Sequence, residues 1–234
     1  MAVYDVMRDL GMKDCVLPHA IRALDPETRV AGRIFTMQGR PDPASNVHES
    51  VIRWTEFLNA APAGHVIVCQ PHDHSLALMG ELSAETLHLR GVRGYIVDGG
   101  CRDNAFIRWL GFPVFARFQT PRDIAGAWTH ESFGEMIEIE GVQIRTGDFV
   151  LADIDGIIVI PEERAEAGYY RRRKGNEHRE PRENGNSKRR VSEGSLSRIW
   201  KVLAYCALHA ITWKAAARRS RCIGRLTLQS SSVG

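Results

Sequence analysis

Apolar residues recur at helical spacing over residues 49–60, where Val51, Ile52, Trp54, Phe57 and Leu58 mark the stripe. They then run almost unbroken through 65–69 (HVIVC). The stripe predicts an amphipathic helix, and the short apolar run bounded by turn residues predicts a buried strand. Pro62-Ala63-Gly64 is the turn between them. The alternation continues: 76–89 reads as a helix ending near Arg90-Gly91, 94–97 as a buried strand, 104–110 as a helix stopped by Gly111-Phe112-Pro113, and 114–117 as a third short strand. Strand, helix, strand, helix, strand at these intervals predicts a parallel sheet with crossover helices. Upstream, 2–12 place Val3, Val6, Met7 and Leu10 on one helical face, and 30–37 (VAGRIFTM) is a strand candidate containing a glycine.

The character changes downstream. Residues 136–140, 142–145, 149–152 and 156–160 are short β segments broken by Gly141, Gly147 and Gly156. They predict a compact antiparallel or barrel-like β unit. "GDFVLADIDGIIVIP" (147–161) is its clearest piece: strand, Asp-Gly turn, strand, proline stop. After Glu163 the periodicity fails.

Charge sharpens that boundary. The whole chain carries +3, but residues 171–234 hold 16 Lys/Arg and 4 Asp/Glu, a net +12, which leaves a net −9 in 1–170. Two kinds of chain are joined near residue 170. The expected division is a domain over 1–166 and an atypical basic tail over 167–234. The tail reads as a solvated segment, a nucleic-acid-binding arm, or the product of a frameshift near Gly168. It lacks the interleaved aromatics of single-strand binders, so no nucleic-acid partner is expected. The coding DNA read in its other two frames tests the frameshift.

The five cysteines, Cys15, Cys69, Cys101, Cys206 and Cys222, form no C-x-x-C pair. An odd, scattered set argues against a disulfide framework and for a reducing cytoplasm. The first residues show no secretory leader pattern, and no stretch reaches the roughly 18 clean apolar residues of a membrane helix. No membrane partner is expected.

The chemistry candidates gather where the predicted parallel strands end, the edge at which such sheets bind ligands. One is "QPHDHS" (70–75), leading to Gly80-Glu81. The other is "DGGCRDNAF" (98–106), read as a glycine turn after a buried strand. If the strands are neighbours, Gly80, Glu81, Arg102 and Asp103 converge on one cleft. Arg102 has the planar fork that holds a carboxylate by two parallel hydrogen bonds. Asp103 and Glu81 are hard oxygen ligands suited to Mg²⁺. A metal beside an α-keto acid can polarise the keto oxygen and stabilise an enolate. The competing reading makes Arg102–Asp103 a surface pair, with Asp103 capping the helix that follows. His72-Asp73-His74 is either a transition-metal ligand set or a polar loop, and Cys101 either an activated thiol or a small buried filler. Walker A, dinucleotide and G-x-S-x-G patterns are absent.

Three segments in order, "GELSAETLHLRGVRGYIVDGGCRD" (80–103), "GFPVFAR" (111–117) and 147–161, resemble the RraA-like family. That family includes 4-hydroxy-4-methyl-2-oxoglutarate/4-carboxy-4-hydroxy-2-oxoadipate aldolases, oxaloacetate decarboxylases and the regulator of ribonuclease E activity. The likeness spans roughly residues 2–166. Its aldolases carry an acidic residue, twenty intervening positions, then Arg-Asp, and Glu81, Arg102 and Asp103 match this, with Glu81 where the family usually has Asp. The resemblance implies a layered β/β/α swivelling domain like the phosphohistidine domain, with parallel core strands and a small β unit. It implies a metal-dependent pyruvate aldolase or oxaloacetate decarboxylase acting on a small 2-oxo acid. Arg102 would bind the pyruvyl carboxylate and help stabilise the enolate. Asp103 would hold Mg²⁺ or Mn²⁺, with Glu81 acting through water. The backbone of Gly80, Glu81, Leu82 and Ser83 would contact the pyruvyl group. A homotrimer or hexamer with sites between subunits is implied as well. The regulator branch shares the fold and implies the alternative, a non-catalytic protein that binds and inhibits a ribonuclease.

Overall fold

The structure, a computed structural model, describes residues 2–165. The basic tail and the expected boundary at 166/167 lie outside them.

The elements run α1 (Ala2–Asp9), β1 (Arg22–Ala23), β2 (Val30–Pro41), α2 (Val47–Ala60), β3 (His65–Gln70), α3 (Glu81–Leu89), β4 (Gly94–Cys101), α4 (Asn104–Leu110), β5 (Val114–Gln119), β6 (Trp128–Phe133), β7 (Ile137–Ile139), β8 (Val142–Ile144), β9 (Phe149–Asp153) and β10 (Gly156–Ile160). Four parallel neighbours, β2, β3, β4 and β5, form the centre; the alternating pattern predicts β3, β4 and β5, and β2, expected only as a strand, joins them in parallel. Antiparallel β1 flanks β5, and antiparallel β9 and β10 extend from β2. The four segments downstream of residue 135 do not form one separate unit. β9 and β10 belong to the main sheet, and β7–β8 is a hairpin of its own.

Residues 15–17 nearly close the sheet. The Leu17 N–H donates to Ile157 O, the Val159 N–H donates to Cys15 O, and Val16 bridges Ile158. Five residues further on the chain pairs with β5 at the opposite edge. Closure hides edges that would otherwise template aggregation. It also encloses an inner core of Ile34, Val66, Val68, Ile96, Phe115, Val150 and Val159, roofed by Ile137, Ile139, Val142 and Ile144 of the hairpin. The other sheet face packs on the helices through Trp54, Phe57, Ile67, Ala84, Leu87, Tyr95, Val97 and Ile107.

Two predicted boundaries shift. Residues 76–89 are not one helix, because α3 starts at Glu81. Leu76, Ala77, Leu78 and Met79 are buried, but they run beside the end of β4: the Leu78 N–H donates to Gly100 O and the Gly100 N–H to Leu76 O. Strand β4 correspondingly continues through Asp98-Gly99-Gly100-Cys101, which the sequence presents as a turn. The glycines serve close approach. A Cβ on Gly100 would stand 2.6 Å from Leu76 O and 2.7 Å from the Phe118 ring. A bulge between Val97 and Gly100 accommodates this approach.

Candidate active site

Because β4 runs two pleats further than expected, it delivers Arg102 and Asp103 directly against the start of α3. The Arg102 N–H donates to Met79 O, which locks the strand end to the residue before Gly80. Asp103 sits in the left-handed region, φ 55° and ψ 34°, an arrangement that costs a non-glycine residue about 1 kcal/mol and concentrates at functional sites. It makes no side-chain cap to α4, the helix it precedes. Its Oδ2 instead accepts the Glu81 N–H at 3.0 Å, capping the N-terminus of α3 across the cleft. Arg102 Nε lies 3.5 Å from the same oxygen. The capping alternative is therefore altered: Asp103 caps, but it caps the neighbouring helix.

Gly80 is what allows the approach. Its backbone is extended, φ −150°, so any residue could adopt it. A Cβ there would lie 2.8 Å from Asp103 Oδ2 and 3.0 Å from Arg102 Nε. Gly80, Glu81, Arg102 and Asp103 are thus brought together, as the topology of parallel strands suggests. Leu82 and Ser83 follow in the first turn of α3, where N–H groups have no intrahelical acceptor. The Leu82 side chain is 77% exposed. The Ser83 hydroxyl is committed elsewhere, accepting the Trp54 Nε1–H at 2.8 Å.

Sequence reasoning missed Asp123. Its Oδ2 accepts from Arg102 Nη1 at 3.0 Å. Twenty-one positions beyond Arg102, in a polar stretch after β5, it carries no local signal.

The donor set suits a hard divalent cation. Asp103 Oδ1 and the Glu81 carboxylate have no hydrogen bond or ion pair among the described residues. Arg102 with Asp103, Asp123 and Glu81 has a formal charge of −2, a field that favours a cation. Among the described residues no three His, Cys, Asp or Glu side chains form a metal cage. Mg²⁺ does not require one, because it binds through one or two carboxylates and keeps several waters.

A second cleft, of about 240 Å³, opens at the ends of β3 and β4 on the inner-core face. Gln70, His72, Asp73, His74 and Asp98 line it. Asp98 is 3% exposed and fully engaged: Arg117 Nε donates at 2.6 Å, Gln70 Nε2 donates at 3.1 Å, and His74 Nε2 lies 3.5 Å away. Arg117 also reaches Glu140, at the tip of the hairpin roof. Asp73 Oδ1 accepts the N–H groups of Ser75 and Leu76, so it shapes its own loop. The loop reading of residues 72–74 accounts for Asp73, and no three-ligand metal cluster forms there among the described residues.

Cys101 and Cys69 are buried, and burial pushes both thiols up to about 12. Cys101 is a filler beside Arg102, not an activated nucleophile.

The sequence over most of the described residues places the chain in a known class. It belongs to the RraA-like family, whose model, described as Aldolase/RraA, matches residues 1–159. It is 28% identical over 160 residues to a 4-hydroxy-4-methyl-2-oxoglutarate aldolase of Thermus thermophilus, covering 67% of this chain and 90% of that one. A Halalkalibacterium halodurans relative is 29% identical over 149 residues, 62% of this chain and 66% of its own length. The solved RNA-processing inhibitor RraA of Thermus thermophilus superposes with a TM-score of 0.55 at 26% identity, covering 68% of this chain and 92% of that one.

Proposed function

We propose that residues 1–166 form a divalent-metal-dependent lyase domain that cleaves a small 2-oxo acid, by retro-aldol cleavage or decarboxylation, through a pyruvate enolate. The observation that carries this is the meeting of Arg102 and Asp103, at the end of β4, with Gly80 and Glu81, at the start of α3, within a family that includes named aldolases.

Arg102 binds the pyruvyl carboxylate and places a positive charge beside the developing enolate. A guanidinium fixed before the reaction begins stabilises charge without reorganising. The first-turn N–H groups of Leu82 and Ser83 add donors at a helix N-terminus, which favours anions. Asp103 and, through water, Glu81 would hold Mg²⁺ or Mn²⁺. A cation held there would supply Lewis-acid polarisation of the keto oxygen. Glu81, whose carboxylate has no hydrogen bond or ion pair among the described residues, takes the substrate hydroxyl proton through water in the retro-aldol direction and returns a proton to the enolate carbon. The longer Glu in place of the family's usual Asp sets this site apart. A trimer or hexamer belongs to this reading, because Leu82 and Trp109, 77% and 79% exposed on α3 and α4, would be covered by a second copy.

The test is pyruvate release from 4-hydroxy-4-methyl-2-oxoglutarate and from oxaloacetate. Activity is expected with Mg²⁺ or Mn²⁺, lost in EDTA and restored by adding metal back. The likeness to an RNA-processing inhibitor favours a second reading, a non-catalytic ribonuclease-binding protein. A folded protein that releases no pyruvate from either acid and inhibits a ribonuclease would replace the first reading with the second.

A further inference from the structure

We infer that Asp123 is the positioning residue for Arg102, holding its guanidinium ready for the substrate carboxylate. The inference rests on the lyase reading above. Arg102 is a long side chain, and 38% of it is exposed. A free arginine at this exposure samples many rotamers, and ordering it on binding costs up to about 2 kcal/mol. Two contacts remove that freedom beforehand. Asp103 Oδ2 stands 3.5 Å from Nε, and Asp123 Oδ2 accepts from Nη1 at 3.0 Å. The two carboxylates occupy different corners of the fork. Nη2 has no partner among the described residues, so two N–H groups remain for a ligand oxygen.

Asp123 can hold Arg102 because it is itself held. On one side, Arg122 O accepts the Ala77 N–H at 2.7 Å, tying the loop to the extended segment before Gly80. On the other, Ile124 is buried in the helix-side core, and its carbonyl accepts the N–H groups of Ala127 and Trp128. The Gly126 N–H donates to Ser50 Oγ of α2 at 2.7 Å. Asp123 Oδ1 accepts the Ala125 N–H at 3.1 Å, leaving Oδ2 for Arg102. A carboxylate between two anchored neighbours fixes position in a way that a mobile surface acid cannot.

Asp123→Asn is the informative variant. It keeps an oxygen for the Ala125 N–H and removes the charge that holds Arg102. The carboxylate clamp acts in ground state and transition state alike, so its loss falls mainly on KM, while a looser guanidinium beside the developing enolate adds a smaller loss in kcat. KM for the 2-oxo acid should rise about tenfold with kcat within about threefold, and the Kd of oxalate, an enolate mimic, should rise by a similar factor. The thermal midpoint should stay within a few degrees of wild type. An unchanged KM, or a fall in kcat and midpoint with KM unchanged, overturns the positioning role while leaving the lyase reading intact. A wild-type protein that neither turns over a 2-oxo acid nor binds oxalate overturns both.

Discussion

Replacing Gly80 by alanine adds one methyl group and removes no functional group, so it isolates the geometry of the site. The new Cβ would stand 2.8 Å from Asp103 Oδ2 and 3.0 Å from Arg102 Nε. Reaching ordinary contact at 3.4 Å moves the carboxylate by about 0.6 Å, beyond the roughly 0.5 Å tolerance of a catalytic constellation. The atoms displaced, Asp103 Oδ2 with Arg102 Nε and Cγ, belong to side chains and not to the backbone, and the backbone at φ −150° accepts alanine. The stability cost is therefore small: about 1–2 kcal/mol for a weakened Glu81 N–H to Asp103 bond and a poorer cap. The cost to chemistry is larger, about 100-fold in kcat/KM, because misplacement of this size disturbs Arg102 and Asp103 together. Thermal unfolding and pyruvate release on the same preparation separate the two effects. A Gly80→Ala protein with wild-type kcat/KM would refute the claim that the close approach of these residues matters.

Further outcomes follow from the buried polar contacts. Arg117→Ala strips the buried Asp98 of its main counter-charge and should cost about 3 kcal/mol by urea denaturation; a loss under about 0.5 kcal/mol would mean Asp98 needs no such partner. Ser83→Ala should cost about 1–2 kcal/mol by orphaning Trp54 Nε1–H while leaving KM unchanged, because only the Ser83 backbone is expected at the substrate, whereas a large KM effect would show that the hydroxyl takes part in binding. Cys69 and Cys101, pushed up to about 12 by burial, hold protons in the folded state that the unfolded chain releases near 9. Their contribution to stability is thus complete below about pH 9 and declines as pH rises towards 12, by up to about 1.4 kcal/mol per pH unit for each thiol. Cys69→Ala should flatten that alkaline decline, and an unchanged slope would contradict it. Both thiols should also resist iodoacetamide in the native protein at pH 8, as read by peptide mapping.

The parallel centre was legible because its strands are short apolar runs and its helices carry clear stripes; α4 spans the residues that the pattern marks. The errors have one physical source. Leu76, Ala77, Leu78 and Met79 are apolar because the end of β4 covers them, not because they line a helix, and periodicity alone cannot tell these apart. The Gly99-Gly100 pair looks like a turn, yet it is a strand thinned so that Leu76 O and Phe118 can approach. β6, with Thr129, His130, Glu131 and Ser132 between Trp128 and Phe133, is too polar to announce itself. At the site, Arg102, Asp103, Gly80 and Glu81 could be grouped from strand-end topology, and the resemblance supplied their roles. Asp123 could not be found this way, since its contact to Arg102 depends on where the loop after β5 is pinned.

The most direct test of the central claim is kcat/KM for pyruvate release by the full chain with Mg²⁺, wild type against Arg102→Ala, on protein whose melting transition shows that it is folded. Metal-dependent turnover in the wild type that falls at least about 100-fold in the variant, with the melting transition retained, is the predicted result. Wild-type turnover that survives in Arg102→Ala would place the chemistry away from the end of β4 and contradict the account.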